Sequence, residues 1–366
     1  MSLLTPFWAK DGFDKTRPMI IYGLGTLGLS YLRALVVEKV NVIAIFDINP
    51  KYHNTFVAGI PILPPDRIKD FDRGCNVFIS PVRKMYTFTI MFRELGFKGN
   101  YYYSFAPEIT YIEDCISNKD RNSKIVASSM DRIDQARTHI KEQKSLKIFN
   151  AALDAYCTGA WEAYEDLAEP QINILPPELF SLGDNEVLAD CGAYIGDSIE
   201  KFVSQTRQQY RYIYSFEPCE IEYLMCVRLV EYNHLQNVEV NRMAVSDVDG
   251  VLCFDDDNDS QAAHVTETGS TKVVSVKMDT FFGQENRYQP TIVKMDIEGS
   301  EIAALHGMKS IISNSMPMMA ISAYHRVTDL WEVPLTIAQY QSGKGYEFFY
   351  RHHACISDCM LYARPY

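Results

Sequence analysis

One stretch, an apolar run that ends in an acidic residue and a glycine-containing turn, constrains this 366-residue chain most. The apolar residues 187–189 precede Asp190, and Gly192, Gly196 and Asp197 follow before a helical pattern begins. This order is typical of a buried parallel strand that turns sharply into a helix. Because glycine has no Cβ, the turn can come close to a ligand, and the following helix N-terminus can bind a carboxylate. The stretch predicts an α/β sheet with a small-molecule site at the carboxyl end of this strand.

A second acidic residue ends the next apolar stretch. Glu217 follows the strand-like residues 212–216 and precedes Pro218. In dinucleotide-binding folds, a carboxylate at this position accepts the two hydroxyl groups of a ribose. The two acidic strand ends together predict a nucleoside cofactor on the sheet.

Five segments of the C-terminal half together resemble the FkbM family of S-adenosylmethionine (SAM)-dependent O-methyltransferases. They stand in the family's order between residues 186 and 366: DCGAYIGDS (190–198), FEP (216–218), NRMAVSDVDG (241–250), VKMDIEGSE (293–301) and SAYHRVTDLWEVP (322–334). The glycine turn alone is weak evidence, because many α/β sheets carry one. The resemblance rests on the five segments in order.

The resemblance implies a class I methyltransferase sheet, closed by an antiparallel hairpin of residues 346–353 and 359–364. SAM would lie along the carboxyl ends of the strands. Its methionine part would meet the first strand, its ribose the second, and its adenine residues 241–246. The predicted cofactor-binding residues are Asp190, Gly192, Ala193, Tyr194, Gly196, Asp197, Glu217, Pro218 and Ala244.

The ends of the fourth and fifth strands should face the transferred methyl group and its acceptor. Asp296 and Glu298 follow strand-like residues 291–295, and His325 follows residues 316–323. An alcohol acceptor is a poor nucleophile until a base or a metal ion draws its proton away. We therefore predict that Asp296, Glu298 and His325 are catalytic. His325 is the predicted base because histidine titrates near neutral pH.

Two neighbouring acidic residues have alternative interpretations. Glu298 and Glu301 would share a helix face if the helix began early enough, whereas Glu301 could instead cap that helix after Ser300. Asp329 could orient His325 or cap the helix that follows, and capping is favoured. A divalent metal ion is compatible with these carboxylates, but the sequence does not establish one.

A second glycine turn lies near the N-terminus. Gly23, Gly25 and Gly28 separate strand-like residues 19–22 from a helical stretch, and Asp47 ends the next strand. This order is the fingerprint of a dinucleotide-binding unit, with Asp47 at the ribose position. The four residues predict a second nucleotide site, and the alternative is a glycine turn required by packing.

Length and periodicity predict two Rossmann-like α/β domains joined by a helical connector. Residues 1–104 form the small nucleotide-binding-like domain, and residues 186–366 form the methyltransferase domain. Residues 105–185 form the connector, with helical patterns over 128–150 and 151–167. Within the C-terminal domain, residues 238–245 predict a single strand.

Composition limits the class of function. With 47% hydrophobic and 22% charged residues, the chain is typical of a soluble globular protein, and no apolar run reaches the length of a membrane helix. The net charge of −12 argues against nucleic acid as a substrate, because phosphate binding needs a basic surface. The nine cysteines lack CxxC pairs, which favours the cytoplasm.

The leading hypothesis is SAM-dependent O-methylation of a hydroxyl group on a sugar, a glycan or a natural-product small molecule. The alternative is a sensor or assembly protein that binds a nucleotide sugar or NAD and has a non-catalytic methyltransferase fold. An NAD-dependent oxidoreductase is disfavoured because the chain shows no hydride-transfer machinery. The identity of the acceptor, a metal requirement and a homo-oligomeric state are open at this level.

Overall fold

The computed structural model describes residues 14–81, 84–103, 117–171, 173–255, 264–266, 271–343, 345–353 and 358–366. These residues divide into two compact units. The front unit contains the described residues of Met1–Asp120 and Thr158–Ala168. The second unit contains those of Arg121–Cys157, Glu169–His353 and Ser357–Tyr366. The predicted connector is thus shared between the two units, and the three-part domain division stays a prediction.

The front unit is built on a sheet whose strand order is β3-β4-β2-β1-β5-β6. Its strands are β1 (Met19–Tyr22), β2 (Val42–Phe46), β3 (Thr55–Val57), β4 (Ile60–Leu63), β5 (Asn76–Ile79) and β6 (Tyr101–Tyr103). Helices α1 (Thr26–Val37) and α2 (Met85–Glu94) follow β1 and β5. The central strands β1 and β5 are buried along their whole length, as parallel strands covered on both faces must be.

Further helices lie between the two sheets in sequence. They are α3 (Lys119–Ser128), α4 (Met130–His139), α5 (Gln143–Thr158) and α6 (Glu162–Glu165). The helical pattern predicted over 128–150 is present, but it is divided between separate helices, because the chain breaks at Ser129 and at Ile140. Ile140 is extended and bridges to Phe348, so a strand-like contact interrupts the helical pattern.

The second unit is built on a seven-stranded sheet of order β16-β17-β15-β14-β7-β8-β9. Its strands are β7 (Val187–Cys191), β8 (Tyr212–Phe216), β9 (Val238–Asn241), β14 (Ile292–Met295), β15 (Met318–Ser322), β16 (Tyr346–His352) and β17 (Cys359–Pro365). Strand β17 runs antiparallel to both β15 and β16. The predicted closing hairpin and the predicted α/β class are confirmed.

A smaller sheet of order β10-β13-β11-β12 accompanies the large one. It contains β10 (Ala244–Val245), β11 (Gly250–Asp255), β12 (His264–Thr266) and β13 (Thr271–Val276). The single strand predicted over 238–245 is therefore wrong. The chain pairs with β8 up to Asn241 and then leaves the large sheet, so that Ala244 pairs with Ser275.

The remaining helices of the second unit connect its strands. They are α7 (Asp197–Gln205), α8 (Glu220–Tyr232), α9 (Met278–Phe282), α10 (Glu301–His306) and α11 (Asp329–Tyr340). Strands β7 to β9 extend the sheet in one direction, and β14 and β15 extend it in the other. The order of the strands therefore reverses between β7 and β14, where open α/β sheets bind their ligands.

None of the helices in the described part of the chain is long and apolar enough to cross a membrane.

Candidate active site

The glycine turn after β7 is fixed by a very close backbone contact. Gly192 has a φ of +77°, and a Cβ at this position would lie 1.8 Å from the carbonyl oxygen of Asp296. Only glycine fits such an approach between the ends of β7 and β14. Packing alone therefore accounts for this glycine, and its role in cofactor binding stays a prediction. Gly192 makes room for Asp296.

Lys294 holds the same turn from the neighbouring strand. Its ammonium group lies 3.4 Å from Oδ1 of Asp190 and donates a hydrogen bond to the carbonyl oxygen of Gly192. Asp190 is fully buried, and burial raises the pKa of its carboxyl group to about 6, although Lys294 acts in the opposite direction. Sequence reasoning missed Lys294, because one lysine inside an apolar strand gives no signal of its partner.

Glu217 braces the turn from the end of β8. Its Oε2 accepts a hydrogen bond from the N–H of Tyr194 at 2.8 Å, and its Oε1 accepts one from Cys219 at 2.9 Å. Burial raises the pKa of Glu217 to about 7, and the two backbone donors lower it only in part. Each oxygen has a second lone pair, so the carboxylate can also accept hydroxyl donors.

The other predicted cofactor residues occupy several environments. Ala193 is buried, and Tyr194 adopts a left-handed φ of +49°. Gly196 has a φ of +92°, and Asp197 begins α7 and pairs with Lys201 at 2.9 Å. Pro218 follows Glu217 directly, whereas Ala244 lies in β10 of the smaller sheet. The turn and Glu217 are therefore joined by the hydrogen bond at Tyr194, whereas Ala244 stands on a separate strand.

Four side chains meet beyond the ends of β14 and β15. His325 Nε2 lies 3.5 Å from Oδ1 of Asp296 and 3.4 Å from Oε2 of Glu298. His325 Nδ1 lies 3.2 Å from Oε1 of Glu301. The three predicted catalytic residues are thus brought together, and the cluster of Asp296, Glu298, Glu301 and His325 is called the carboxylate–histidine cluster below.

The charges in this cluster shift one another. Burial alone would lower the pKa of His325, but Glu301, Glu298 and Asp296 outweigh it and raise that pKa well above its usual value. Burial alone would raise the pKa of Asp296, but His325 and Lys294 outweigh it and lower that pKa. The imidazolium and the Asp296 carboxylate therefore stabilise each other's charged form.

Tyr324 completes the side of the cluster next to Asp296. Its hydroxyl group donates to Asp296 Oδ1 at 3.3 Å, and its ring packs on that of His325 with centroids 4.3 Å apart. The carbonyl oxygen of Tyr324 accepts a hydrogen bond from the hydroxyl of Tyr156. Sequence reasoning missed Tyr324, and its position directly before His325 was the available signal.

The turn after Asp296 explains how the two glutamates converge. Helix α10 begins at Glu301, so the expectation that Glu298 and Glu301 share a helix face is wrong. Glu298 lies in the turn with a left-handed φ of +53°, and Gly299 follows with +86°. Glu301 accepts a hydrogen bond from the N–H of Ile297 and is 1% exposed, so it both closes the turn and faces His325.

Asp329 has a local role at the start of α11. Its Oδ2 accepts a hydrogen bond from the N–H of Arg326 at 2.7 Å, which closes the turn after His325. The helix begins at Asp329 itself, and its cap position, Thr328, makes no side-chain capping hydrogen bond, so the favoured interpretation of Asp329 as the helix-capping residue is wrong. Burial raises its pKa to about 7.

The family comparison decides what this arrangement belongs to. Residues 190–348 match the model of the FkbM methyltransferase domain, from Asp190 to Phe348. The chain therefore contains an FkbM methyltransferase domain over these residues. The matched region of the FkbM domain includes the glycine turn, Glu217, Lys294 and the whole carboxylate–histidine cluster.

One solved structure shares the fold of the chain. The FkbM methyltransferase of Methylobacillus flagellatus KT matches with a TM-score of 0.60 and 22% identity, over 95% of this chain and 90% of that chain. A precorrin-6y C5,15-methyltransferase of Geobacter metallireducens GS-15 matches with a TM-score of 0.33 and 10% identity, over 55% and 95%. No curated protein matches the chain.

The front glycine turn is largely explained by packing. A Cβ at Gly28 would lie 2.3 Å from the carbonyl oxygen of Gly23, and Gly23 itself has a φ of +88°. Asp47 accepts hydrogen bonds from the N–H groups of Leu24 and Asn49, each at 2.7 Å. Gly25 differs, because a Cβ there would meet nothing within 4 Å. A nucleotide site at Gly23, Gly25, Gly28 and Asp47 stays a prediction.

These contacts predict different costs at two glycines. Gly28→Ala should lower stability by about 1–3 kcal/mol, because its Cβ overlaps a backbone carbonyl. Gly25→Ala should leave stability within about 1 kcal/mol of the wild type, because its φ of −60° suits alanine. Calorimetric unfolding of the two variants measures the difference, and equal losses would contradict the packing account.

The pair of Asp190 and Lys294 predicts a strong double-mutant coupling. Lys294→Met should destabilise the protein by about 3–5 kcal/mol, because it leaves the buried Asp190 carboxylate unpaired. Adding Asp190→Asn should recover much of this loss in urea unfolding. Lys201→Met is the control, since it breaks the more exposed pair with Asp197 and should cost below about 1 kcal/mol. Additive losses from Lys294→Met and Asp190→Asn would contradict the coupling.

Proposed function

We propose that this FkbM-family methyltransferase uses SAM to methylate a hydroxyl group of a sugar, a glycan or a natural-product small molecule. One observation carries the proposal. The glycine turn after β7 is in backbone contact with Asp296, so the predicted cofactor surface directly adjoins the carboxylate–histidine cluster. A methyl donor and a proton acceptor must be neighbours in this way for methyl transfer to an alcohol.

Glu217 and the glycine turn would hold the cofactor. SAM supplies a methyl group that its sulfonium centre makes electrophilic. The Glu217 carboxylate has one free lone pair on each oxygen beside its two backbone bonds, which fits the two hydroxyl groups of a ribose. The turn from Gly192 to Asp197 would hold the methionine part, and the chain near Ala244 would border the adenine.

His325 and Asp296 would act on the acceptor. Asp296, with its low pKa, is ionised and can accept a hydrogen bond from the acceptor hydroxyl beside Tyr324. Glu301 at Nδ1 can hold the ring of His325 as an orienting carboxylate does in a catalytic dyad. An acceptor that enters between Nε2 and the acids Asp296 and Glu298 would weaken their hold on the imidazolium. His325 would then release its proton to bulk water and, as a neutral imidazole, accept the proton of the acceptor hydroxyl when the methyl group is transferred.

The acceptor class follows from the family resemblance and the charge of the chain. The FkbM resemblance implies glycan or natural-product acceptors, and the acidic chain disfavours nucleic acid. The pattern of cysteines favours the cytoplasm. Incubation with radiolabelled SAM and a panel of nucleotide sugars, glycans and polyols tests the proposal. Label transfer to a hydroxyl group supports it, whereas SAM binding without transfer to any acceptor favours the non-catalytic alternative.

Glu217→Gln should weaken binding of S-adenosylhomocysteine by about 1.5–3 kcal/mol in a calorimetric titration, because charged hydrogen bonds to the ribose are lost. Wild-type affinity should also rise as the pH passes through about 7, where the carboxyl group of Glu217 ionises. This dependence should be absent in the variant. The stability of the free protein has the opposite pH dependence. Between the ordinary pKa of glutamate and about 7, the folded state binds a proton at Glu217 that the unfolded state does not, so the contribution of Glu217 to stability falls as the pH rises through this range.

Glu220→Gln is the matched control for the Glu217 variant. Glu220 is an exposed glutamate three residues later, at the start of α8, and it pairs with Arg242. Its replacement should leave the affinity for S-adenosylhomocysteine unchanged. If both variants bind alike, Glu217 is not the ribose-binding residue.

His325→Ala should lower turnover by about 10²–10⁴-fold, the usual contribution of a positioned base, and should leave SAM affinity nearly intact. Turnover is normalised to the number of SAM sites, and the melting temperature is recorded in parallel. His234→Ala, at an exposed histidine after α8, is the control and should behave as the wild type. A destabilised His325→Ala protein whose folded fraction turns over normally would show that His325 is structural.

A further inference from the structure

The carboxylate–histidine cluster contains more negative charge than its own cation balances. Three carboxylates, those of Asp296, Glu298 and Glu301, lie within 3.5 Å of one imidazole ring. Lys294 is paired with Asp190, although its ammonium group also lowers the pKa of Asp296. Glu301 is buried, and a buried carboxylate without enough positive charge is costly, so that proteins offset it with an ion pair or a metal ion.

The positions of these side chains also suit coordination. Asp296, Glu301 and His325 each offer one ligand atom, and these atoms lie within 4.8 Å of one another. Two opposite ligands of a small cation with bonds of about 2.1 Å stand about 4.2 Å apart, so a small side-chain movement closes the set. Glu298 approaches the same ring from its more exposed side, where its carboxylate can turn to become a further ligand.

Two buried polar groups support a ligand at this point. The side chain of Glu301 is only 1% exposed, so water does not reach its Oε2 atom. This atom also has no hydrogen-bond donor among the described residues. Within the same described set, neither ring nitrogen of His325 makes a hydrogen bond of good geometry. The lone pairs of Glu301 Oε2 are therefore not used by any described residue, and His325 would offer a nitrogen lone pair once its ring has lost one proton.

We propose that Asp296, Glu301 and His325, with Glu298 as an additional ligand, bind a small divalent cation of the Mn²⁺ or Mg²⁺ class. Carboxylates favour hard cations, and the single imidazole favours Mn²⁺ over Mg²⁺. A carboxylate faces each ring nitrogen of His325, so an ion bound at either nitrogen would have a carboxylate ligand beside it.

The role of the ion rests on the proposed function. With the ion bound, His325 would be a ligand and not the base. The ion at Asp296 would adjoin the predicted methyl donor surface and would itself lower the pKa of a coordinated acceptor hydroxyl group. The positive charge of the ion would also offset the negative charge of the carboxylates in the cluster when the acceptor hydroxyl loses its proton. The binding site itself requires no turnover to be detected.

Manganese binding tests the proposal directly. Protein freed of metal with a chelator is titrated with Mn²⁺, and the unbound ion is followed by electron paramagnetic resonance. We expect saturable binding of one ion per chain, with competition by excess Mg²⁺. His325→Gln and Asp296→Asn should each weaken binding by about tenfold or more, as expected for the loss of a ligand. His234→Gln, at an exposed histidine, should bind as the wild type does.

Binding of S-adenosylhomocysteine to the same proteins shows that each variant is folded and separates the two hypotheses. Cofactor binding by the wild type without saturable Mn²⁺ binding would overturn the metal site and leave the proposed methyltransferase in place. Mn²⁺ binding that both variants retain would also overturn it, because the ion would then lie elsewhere. Mn²⁺ binding that the variants lose, in a protein that binds no cofactor, would support the metal site and refute the proposed function.

Discussion

The backbone contact between Gly192 and Asp296 is the constraint on which the site depends. It joins the end of β7 to the end of β14 at the point where the order of the strands reverses. Lys294 reinforces this contact, because one ammonium group reaches both Asp190 beneath the turn and the carbonyl oxygen of Gly192 within it. The glycine turn and the carboxylate–histidine cluster therefore belong to one rigid frame. A donor and an acceptor bound on the two sides of this frame would need little further alignment.

Both units use the same device to brace a glycine turn. In the second unit the Glu217 carboxylate accepts the N–H of Tyr194, and in the front unit the Asp47 carboxylate accepts the N–H of Leu24. Each acid stands at the end of the strand that follows the turn. An acidic residue at this position therefore has a structural reason to exist without a ribose. The conclusion for Glu217 rests on its place in the FkbM domain, and Asp47 lacks that support.

The parts of the fold that sequence predicted well are those with one dominant signal. Parallel strands such as β7 are buried on both faces, so an apolar run marks them directly. The errors came where tertiary contacts override a local pattern. Ile140 leaves the helical pattern to bridge to Phe348, and the chain after Asn241 exchanges one sheet for another. Neither partner is readable from the local residues.

The same distinction applies within the site. Strand ends placed Asp296 near His325, because the carboxyl ends of β14 and β15 are adjacent in a parallel sheet. Glu298 reaches His325 because its backbone is left-handed, a conformation that is uncommon for a residue other than glycine. The sequence pattern does not predict such a conformation. Lys294 and Tyr324 were missed for a related reason. Their importance lies in the partners they reach, and those partners are distant in sequence or on another strand.

The two charged groups of the site follow different electrostatic rules. Asp190 and Lys294 form a closed pair, in which one negative and one positive charge balance beneath the turn. Such a pair keeps its geometry and has no charge left for chemistry. The carboxylate–histidine cluster is unbalanced, since three acids share one imidazole, and it is open on the side of Glu298. An unbalanced buried group binds whatever supplies the missing charge, whether a proton, a cation or an acceptor that gives up a proton. The chemistry of this protein is therefore expected at the cluster, and Asp190 with Lys294 holds the frame on which it acts.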